Sequence, residues 1–245
     1  SKKRTAQALA ELFGAPLCDA TVAGMAARAA DGLDGFLTEV GDRVAAAEVA
    51  GFDETGLRVA GKLAWVHCAR TGKYTLITCH PKRGRKGIND AGVLTRFRGV
   101  AVHDAWAPYD TYLDAAHQLC CAHALRELAA VADTSPADAD WCWATQAGDA
   151  LVAGQKLVAE AVAAGAAVDP DALDTQVQLY RSAAQIGLTQ TAARTGKLMR
   201  KHHALARRLR DRQDDYLRFT TAQRVVRPRP QATADPDAQA TNAGA

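Results

Sequence analysis

The sequence predicts an α/β protein in which helices pack against a mixed β-sheet. Three observations support this fold class. Strand-like runs separated by Gly-bearing turns lie between residues 48 and 102, helically spaced apolar residues precede them, and an Ala- and Leu-rich helical pattern follows them. The chain has 245 residues, of which 48% are hydrophobic, and this is enough to bury one sizeable core or two modest ones.

The first segment, residues 1–46, is predicted to be helical. Apolar residues between Arg4 and Asp31 fall at helical spacing in two groups, which residues 14–16 (GAP) separate. A short helix, a tight turn and a second helix that begins near Thr21 match the geometry of a DNA-reading helix-turn-helix. Two Ala-rich helices that only pack against the rest of the protein are the alternative.

Residues 47–132 are predicted to form the core domain. Three strands separated by Gly-bearing turns predict an antiparallel meander. They span residues 49–53, 63–67 and 74–78. A basic loop over residues 81–87, a helix over 88–97 and a buried strand over 99–103 follow, and this last strand runs into Asp104. Three strands, a helix and a fourth strand together predict a mixed sheet.

The second half of the chain is predicted to be a helical insertion over residues 133–221. Residues 194–229 contain twelve Lys and Arg against three Asp, a local excess of nine positive charges. Residues 222–245 are rich in Pro, Ala, Gln and Thr without periodicity, which is the composition of a disordered tail.

Charge and cysteine content favour a cytoplasmic protein. The formal net charge is only +3, so the clustering of charge carries more information than its total. There is no run of eighteen apolar residues, so a membrane span and a secretory signal are not expected. The six cysteines form no C-x-x-C pair, and reduced thiols are expected rather than disulfides or structural zinc.

Two aspartates, Asp53 and Asp104, are predicted to lie at the ends of hydrophobic strands. A carboxylate in such a place is costly to leave unpaired, so either a cation partners it or it holds a metal ion. Asp53 and its neighbour Glu54 point to opposite sides of a strand, so Asp53 pairs better with Asp104. Two such carboxylates and a third from a helix can hold two Mg²⁺ ions for phosphoryl transfer. Turn capping and salt bridges are the alternative role for the pair.

Four segments occur in an order that resembles the insertion-sequence-66 family of transposases. They are residues 52–59 (FDETGLRV), 78–84 (TCHPKRG), 102–109 (VHDAWAPY) and 120–128 (CCAHALREL). The resemblance covers about residues 4–221, and the combination is far more specific than any one segment. It implies a ribonuclease-H-like core with an Asp-Asp-Glu triad and Mg²⁺- or Mn²⁺-dependent DNA strand cleavage. It also implies transfer of the freed 3′-hydroxyl into target DNA.

Carried over by position, the resemblance makes Asp53 and Asp104 the first two catalytic aspartates and metal ligands. Cys120 and His123 match a Cys-x-x-His signature, and on a helix they share one face with Glu127. That face could touch DNA, and a packed Cys beside a hydrogen-bonded His is the alternative. The implied partners are DNA, as transposon ends and target, and no membrane. A homo-oligomer is compatible with this function.

Basic and aromatic residues supply further candidate DNA contacts. Lys82, Arg83, Arg85, Lys86 and the segment 194–229 are predicted phosphate contacts, because positive clusters give salt-dependent, sequence-independent affinity. Solvated helix faces and a basic tail are the alternative. The aromatic side chains Trp106 and Tyr109 could stack on an unpaired base, although core packing is the more ordinary role for such a pair.

The chain also departs from the family pattern. Family members continue beyond a stretch like residues 215–221 into an Asn-rich turn and a helix whose Glu is the third metal ligand. Residues 222–245 contain no Glu. Asp211, Asp214 and Asp215 are doubtful replacements, because pairing with Arg on the same helix is their ordinary role. A copy truncated at both ends is therefore expected, without the third carboxylate and the family's N-terminal zinc module.

Two other functions stay open at this point. One is a catalytically inactive DNA-binding remnant that pairs with intact transposase. The other is a hydrolase that uses Cys120 or Cys121 with His123, but residues this close on one helix lack an orienting third group and an oxyanion site.

Overall fold

The computed structural model describes residues 1–136 and 140–224, with side chains to residue 221. The chain divides into two compact units, Ser1–His117 and Gln118–Ala245. The predicted tail lies outside the described residues except for residues 222–224. The predicted division into a helical segment, a core domain and an insertion remains a prediction.

Three helices open the first unit. They are α1 (Lys2–Phe13), α2 (Asp19–Asp31) and α3 (Asp34–Ala45). The two helices predicted around residues 14–16 are present, and α1 ends at Gly14 in the left-handed conformation that favours glycine. Only α3 contributes several buried residues, among them Val40 and Val44. A DNA-reading role for α1 and α2 remains a prediction.

A five-stranded mixed sheet follows the helices. Its strands are β1 (Val49–Val59), β2 (Lys62–Arg70), β3 (Thr75–His80), β4 (Val100–His103) and β5 (Ala116–Leu119). Their order across the sheet is β3-β2-β1-β4-β5. The β1-β2-β3 meander is antiparallel, whereas β4 pairs with β1 in parallel. The predicted α/β class and mixed sheet are confirmed.

Two local predictions are wrong, and one strand was not predicted. β1 is eleven residues long, so Asp53 lies inside this strand rather than at its end. The helix expected over residues 88–97 is the shorter α4 (Arg85–Asp90), because Gly92 adopts a left-handed conformation that stops it. The short strand β5 was not expected, since its polar residues give little strand signal.

The β1-β2 hairpin closes through a two-residue turn. Val59 pairs with Lys62, and the two residues between them, Ala60 and Gly61, have φ values of 48° and 78°. Two consecutive positive φ values define the type I′ turn that matches the twist of a hairpin. The turn fixes the register of β1 and β2, and so fixes which side chains lie beside Asp53 and Glu54.

The core of the first unit lies between α3, the sheet and the segment after α4. Phe52 and Phe97 meet edge-to-face at its centre, with ring centroids 5.4 Å apart and an interplanar angle of 70°. Tyr109 belongs to the same buried cluster, and Trp106 packs against it. Both aromatic residues lie on the segment that follows β4, so the core anchors this segment.

The second unit is helical, as the sequence predicts. Its helices are α5 (Cys121–Ala132), α6 (Trp143–Ala163), α7 (Pro170–Gln190), α8 (Gly196–Asp211), α9 (Gln213–Tyr216) and α10 (Arg218–Arg224). The Tyr180 hydroxyl donates to the Leu209 carbonyl and joins α7 to α8. No helix among the described residues has both the length and the apolar character to cross a membrane.

Candidate metal centre

Asp53 and Asp104 lie on neighbouring parallel segments of the sheet. The β1-β4 register aligns Gly51 with Val102, and each aspartate is two residues beyond that pair on its own segment. Asp53 is exposed and Asp104 is half-buried. The structure therefore brings together the two aspartates that the sequence singles out.

Each aspartate has one carboxylate oxygen fixed by a backbone amide. The Glu54 N–H donates to Asp53 Oδ1 at 2.9 Å, and the Trp106 N–H donates to Asp104 Oδ1 at 2.9 Å. Neither carboxylate forms an ion pair within the described part of the chain. Two oriented carboxylates without a cation suit a divalent ion that prefers oxygen ligands, so these residues fit Mg²⁺ or Mn²⁺.

The negative field of this region acts on Tyr109. Burial is the main cause that raises the pKa of the Tyr109 hydroxyl, and a hydrogen bond to Glu54 raises it further. The charges of Glu54, Asp104 and Asp53 add to the effect. Both candidate metal ligands therefore lie within electrostatic range of one buried hydroxyl.

The buried carboxylate of Glu54, in contrast, has a partner for each of its two oxygens. Its side chain is 1% exposed, and its Oε1 accepts from Arg83 Nε at 2.9 Å and from Arg83 Nη2 at 2.7 Å. Its Oε2 accepts a hydrogen bond from the Tyr109 hydroxyl. The alternation along β1 places Phe52 and Glu54 on the buried side and Asp53 on the exposed side, as the sequence predicts.

Two tryptophans hold the Arg83 guanidinium. It lies 4.0 Å from the centroid of the Trp106 ring and 5.0 Å from that of Trp65. Trp106 is therefore half-buried against an arginine, and Tyr109 is only 2% exposed. For Tyr109 this favours core packing over base stacking.

The basic loop between β3 and α4 packs closely against the sheet at His67 of β2. The carbonyl of Lys82 accepts from His67 Nε2 at 3.2 Å, and the Lys82 N–H donates to His80 Nδ1 at 2.9 Å. Gly87 lies so close to the Lys82 carbonyl and the His67 ring that a Cβ there would clash with both. Among the predicted DNA contacts of this region, Lys82 in the loop and Arg85 and Lys86 at the start of α4 are exposed, whereas Arg83 forms an ion pair with Glu54.

A His/Asp/His cluster lies next to Asp104. Ligand atoms of His103, Asp110 and His117 are all within 4.8 Å of one another. One set of tautomers satisfies the two rings: the Ala105 N–H donates to His103 Nδ1, His103 Nε2–H to His117 Nδ1, and His117 Nε2–H to the Tyr112 carbonyl. These hydrogen bonds account for the geometry of the rings without a metal ion, and they hold the turn that follows Asp104.

The Cys-x-x-His segment lies at the start of α5. Cys120 caps the helix and Cys121 is its first residue. His123 is half-buried, and its Nδ1 is buried with no hydrogen-bond partner among the described residues. Burial raises the pKa of the Cys121 thiol to about 12, which disfavours the thiolate that a cysteine hydrolase needs. Contact of Cys120 and His123 with DNA remains a prediction.

Many of the charges in the Arg-rich segment are paired. Arg208 donates to Glu127 at 2.6 Å and to the Tyr216 hydroxyl at 2.9 Å. Asp211 forms an ion pair with Arg210, and Asp215 forms ion pairs with two arginines. Asp211 and Asp215 therefore have the ordinary pairing role that the sequence suggests.

Comparison with known families decides the assignment. The model of the IS66 transposase family matches residues 2–227. The chain belongs to the IS66 transposase family. Membership assigns a transposase function in general and makes DNA its partner, and transposases of this type use a divalent metal ion. No curated protein matches this transposase significantly.

Two polar clusters of the transposase were not expected from its sequence. Glu54 and Arg83 are 29 residues apart in the sequence, and His103 and His117 are 14 residues apart. A local sequence pattern therefore does not predict either contact. The available signal is indirect. Glu54 follows the buried Phe52 by two residues in a strand, which marks it as an inward carboxylate in need of a cation.

Proposed function

We propose that this chain is the catalytic part of an Asp-Asp-Glu-type transposase that cleaves and joins DNA strands with a divalent metal ion. The observation that carries the proposal is the Asp53–Asp104 pair. Its two carboxylates are oriented by backbone amides on neighbouring parallel segments and lack any cation within the described residues. The strand order β3-β2-β1-β4-β5 is compatible with the ribonuclease-H-like core that the family resemblance implies.

In this proposal Asp53 and Asp104 hold the metal ion. When bound, the ion would stabilise the charge that develops on the attacking and leaving oxygens of phosphoryl transfer. The chain itself orients these ligands. The Glu54 and Trp106 amides each fix one carboxylate oxygen, which leaves the second oxygen of each aspartate for the ion.

The surrounding side chains keep the ligands in place. Glu54 links β1 to the Tyr109 hydroxyl and to Arg83, and Arg83 is held between two indole rings. Side chains locked in this way keep a site rigid without contacting the reacting atoms. The exposed Lys82, Arg85 and Lys86 then supply positive charge for DNA phosphates beside the site.

The third carboxylate of the triad is not assigned to a residue of this chain. Asp211 and Asp215 are neutralised by arginines, which argues against both. An inactive DNA-binding protein is the second candidate function, and the ion pairs that occupy Asp211 and Asp215 are compatible with it.

A cleavage assay separates the two functions. DNA that carries the ends of the element is incubated with the protein and Mg²⁺ or Mn²⁺, and nicked product is measured. We expect metal-dependent nicking that falls more than about 100-fold in Asp53→Asn and in Asp104→Asn, because loss of a direct ligand should exceed the effect of losing its supporting partner. Asp31→Asn removes an exposed carboxylate of α2 and serves as the control.

Two other results would count against the proposal. Nicking that survives both substitutions would place the chemistry elsewhere. Retained DNA binding without any nicking, in protein that is folded by circular dichroism, would favour the inactive DNA-binding protein.

A further inference from the structure

Helix α8 has two different sides. One side is buried and contains His202, His203, Leu205, Ala206 and Leu209. The other side is exposed and presents four cations that recur at helical spacing. They are Lys197, Arg200, Lys201 and Arg207. At about 100° per residue the four positions span about 120° of the helix circumference, opposite the buried residues, and we call this exposed set the α8 stripe.

The four cations of the α8 stripe have no internal acid. None of them forms an ion pair with any described residue, whereas the neighbouring Arg208, Arg210, Arg212 and Arg218 all do. Those pairs are the ordinary structural use of an arginine. The α8 stripe therefore consists of the cations of this helix that form no ion pair with a described residue.

The pKa of His203, on the buried side of α8, is affected by the positive charge of this region. Burial is the main cause that lowers the pKa of His203, and the charges of Arg194, Arg207 and Arg210 lower it further. The Nδ1 of His203 is hydrogen-bonded to the Thr191 hydroxyl at a distance of 3.0 Å. Arg207 of the stripe therefore contributes to a positive potential that extends across the helix.

The length of the stripe suits a DNA backbone. Ten residues separate Lys197 from Arg207, which corresponds to about 15 Å along a helix. At about 3.4 Å per base pair this equals the rise of roughly four to five base pairs. A row of lysines and arginines of this length can contact several phosphates at once, and such contacts carry no sequence information.

We propose that the exposed side of α8 is a docking surface for the DNA backbone, with Lys197, Arg200, Lys201 and Arg207 as its phosphate contacts. The inference rests on the proposed function only in taking DNA as the partner. It does not require strand cleavage or a complete carboxylate triad.

Salt-dependent binding tests this surface directly. A fluorescent DNA duplex of arbitrary sequence is titrated with wild-type protein and with a variant in which all four cations of the stripe are replaced by Gln, over a range of salt concentrations. Each lost phosphate contact lowers the slope of log affinity against log salt by about 0.9, so loss of all four contacts should lower it by about 3.6. At low salt we expect affinity to fall at least about tenfold.

A second quadruple variant controls for net charge. Lys62, Arg70, Lys73 and Lys156 are exposed residues that lie on neither α1, α2 nor α8, and their replacement by Gln removes the same number of charges. This control should lose much less of the slope than the α8 variant. An α8 variant that binds like wild type, or no worse than the control, would overturn the proposal.

The binding and cleavage tests fail separately. Asp53→Asn should bind the duplex at least as well as wild type when no metal is added, because it removes a negative charge and lies outside α8. Absence of nicking with the expected α8 effect would reject the proposed chemistry and keep the docking surface. Nicking without an α8 effect would do the reverse.

Discussion

The sheet of the first unit and helix α8 of the second unit leave opposite charges uncompensated. Just beyond the residues that pair β1 with β4, Asp53 and Asp104 have backbone donors but no ion-pair partner among the described residues. Along α8, four cations have no acid among the described residues. A metal ion would offset the first imbalance and DNA phosphates the second, which are the two partners that a transposase needs.

The paired charges nearby show what the protein does with a structural charge. Glu54 is adjacent to Asp53, yet it is buried and bound by Arg83 and Tyr109. Arg208 follows Arg207 directly, yet it donates to Glu127 and Tyr216. Within each unit, neighbouring charges of the same sign are thus divided into those that are paired inside the fold and those that form no ion pair with a described residue.

The largest effect on stability is expected for Arg83→Met. This change leaves the Glu54 carboxylate buried without its cation, and breaking a buried pair from one side costs about 3–5 kcal/mol. The free energy of unfolding, measured in urea, should fall by an amount near the lower end of that range, because Arg83 itself is 37% exposed. Lys86→Met, on α4 three residues after Arg83, is the control and should change little. If the double variant Arg83→Met/Glu54→Gln recovers none of the loss, the pairing account is wrong.

A smaller loss is expected for Tyr109→Phe. The substitution keeps the ring in the core and removes only the hydroxyl that donates to Glu54. Hydrogen bonds to charged groups contribute about 1.5–3 kcal/mol. The same urea experiment measures the loss, and Tyr74→Phe, on an exposed tyrosine, is the matched control. Equal effects of the two substitutions would show that the Tyr109 hydroxyl does not support Glu54.

Two arginines of α8 should respond differently to the same substitution. Arg208→Met removes hydrogen bonds to Glu127 and Tyr216 and should cost about 1–2 kcal/mol, because the Tyr216 hydroxyl is buried and loses this partner whereas Glu127 is exposed to solvent. Arg200→Met removes no ion pair or side-chain hydrogen bond with a described residue, so the unfolding free energy should change by no more than about 0.5 kcal/mol. Thermal unfolding of the two variants side by side tests this, and a larger loss for Arg200→Met would contradict the division of charges along α8.

The smallest effect on stability is expected for Asp53→Asn. The aspartate has no cation to lose, and the neutral amide can still accept from the Glu54 N–H, so the unfolding free energy should change by no more than about 0.5 kcal/mol. Urea unfolding without added metal provides the measurement. A loss comparable with that of Arg83→Met would make Asp53 a structural residue and would remove the contrast between it and Glu54.

Local patterns predict much of this fold. Alternation and turn residues indicate the β1-β2-β3 meander, and the apolar run before Asp104 indicates β4. The boundaries that fail have particular causes. Gly92 ends α4 early through its backbone conformation, and β1 continues past Asp53 because it pairs with β2 as far as Val59.

The candidate site was only partly accessible from the sequence. Asp53 and Asp104 are recognisable because each follows a buried strand segment and matches a family motif. The sequence does not show which basic side chains form ion pairs inside the protein, because Arg83 and the basic residues near it are all part of one Lys- and Arg-rich segment. Only the tertiary structure shows that Arg83 contacts Glu54 whereas Lys82, Arg85 and Lys86 are exposed.

The central claim is that Asp53 and Asp104 together hold a divalent metal ion. Mn²⁺ binding, followed by the loss of the free-ion signal in electron paramagnetic resonance, tests it without requiring DNA or catalysis. Wild-type protein and Asp31→Asn should bind Mn²⁺ alike, and Asp53→Asn and Asp104→Asn should each weaken binding by at least about tenfold. Equal binding by all four proteins would contradict the assignment of the metal centre.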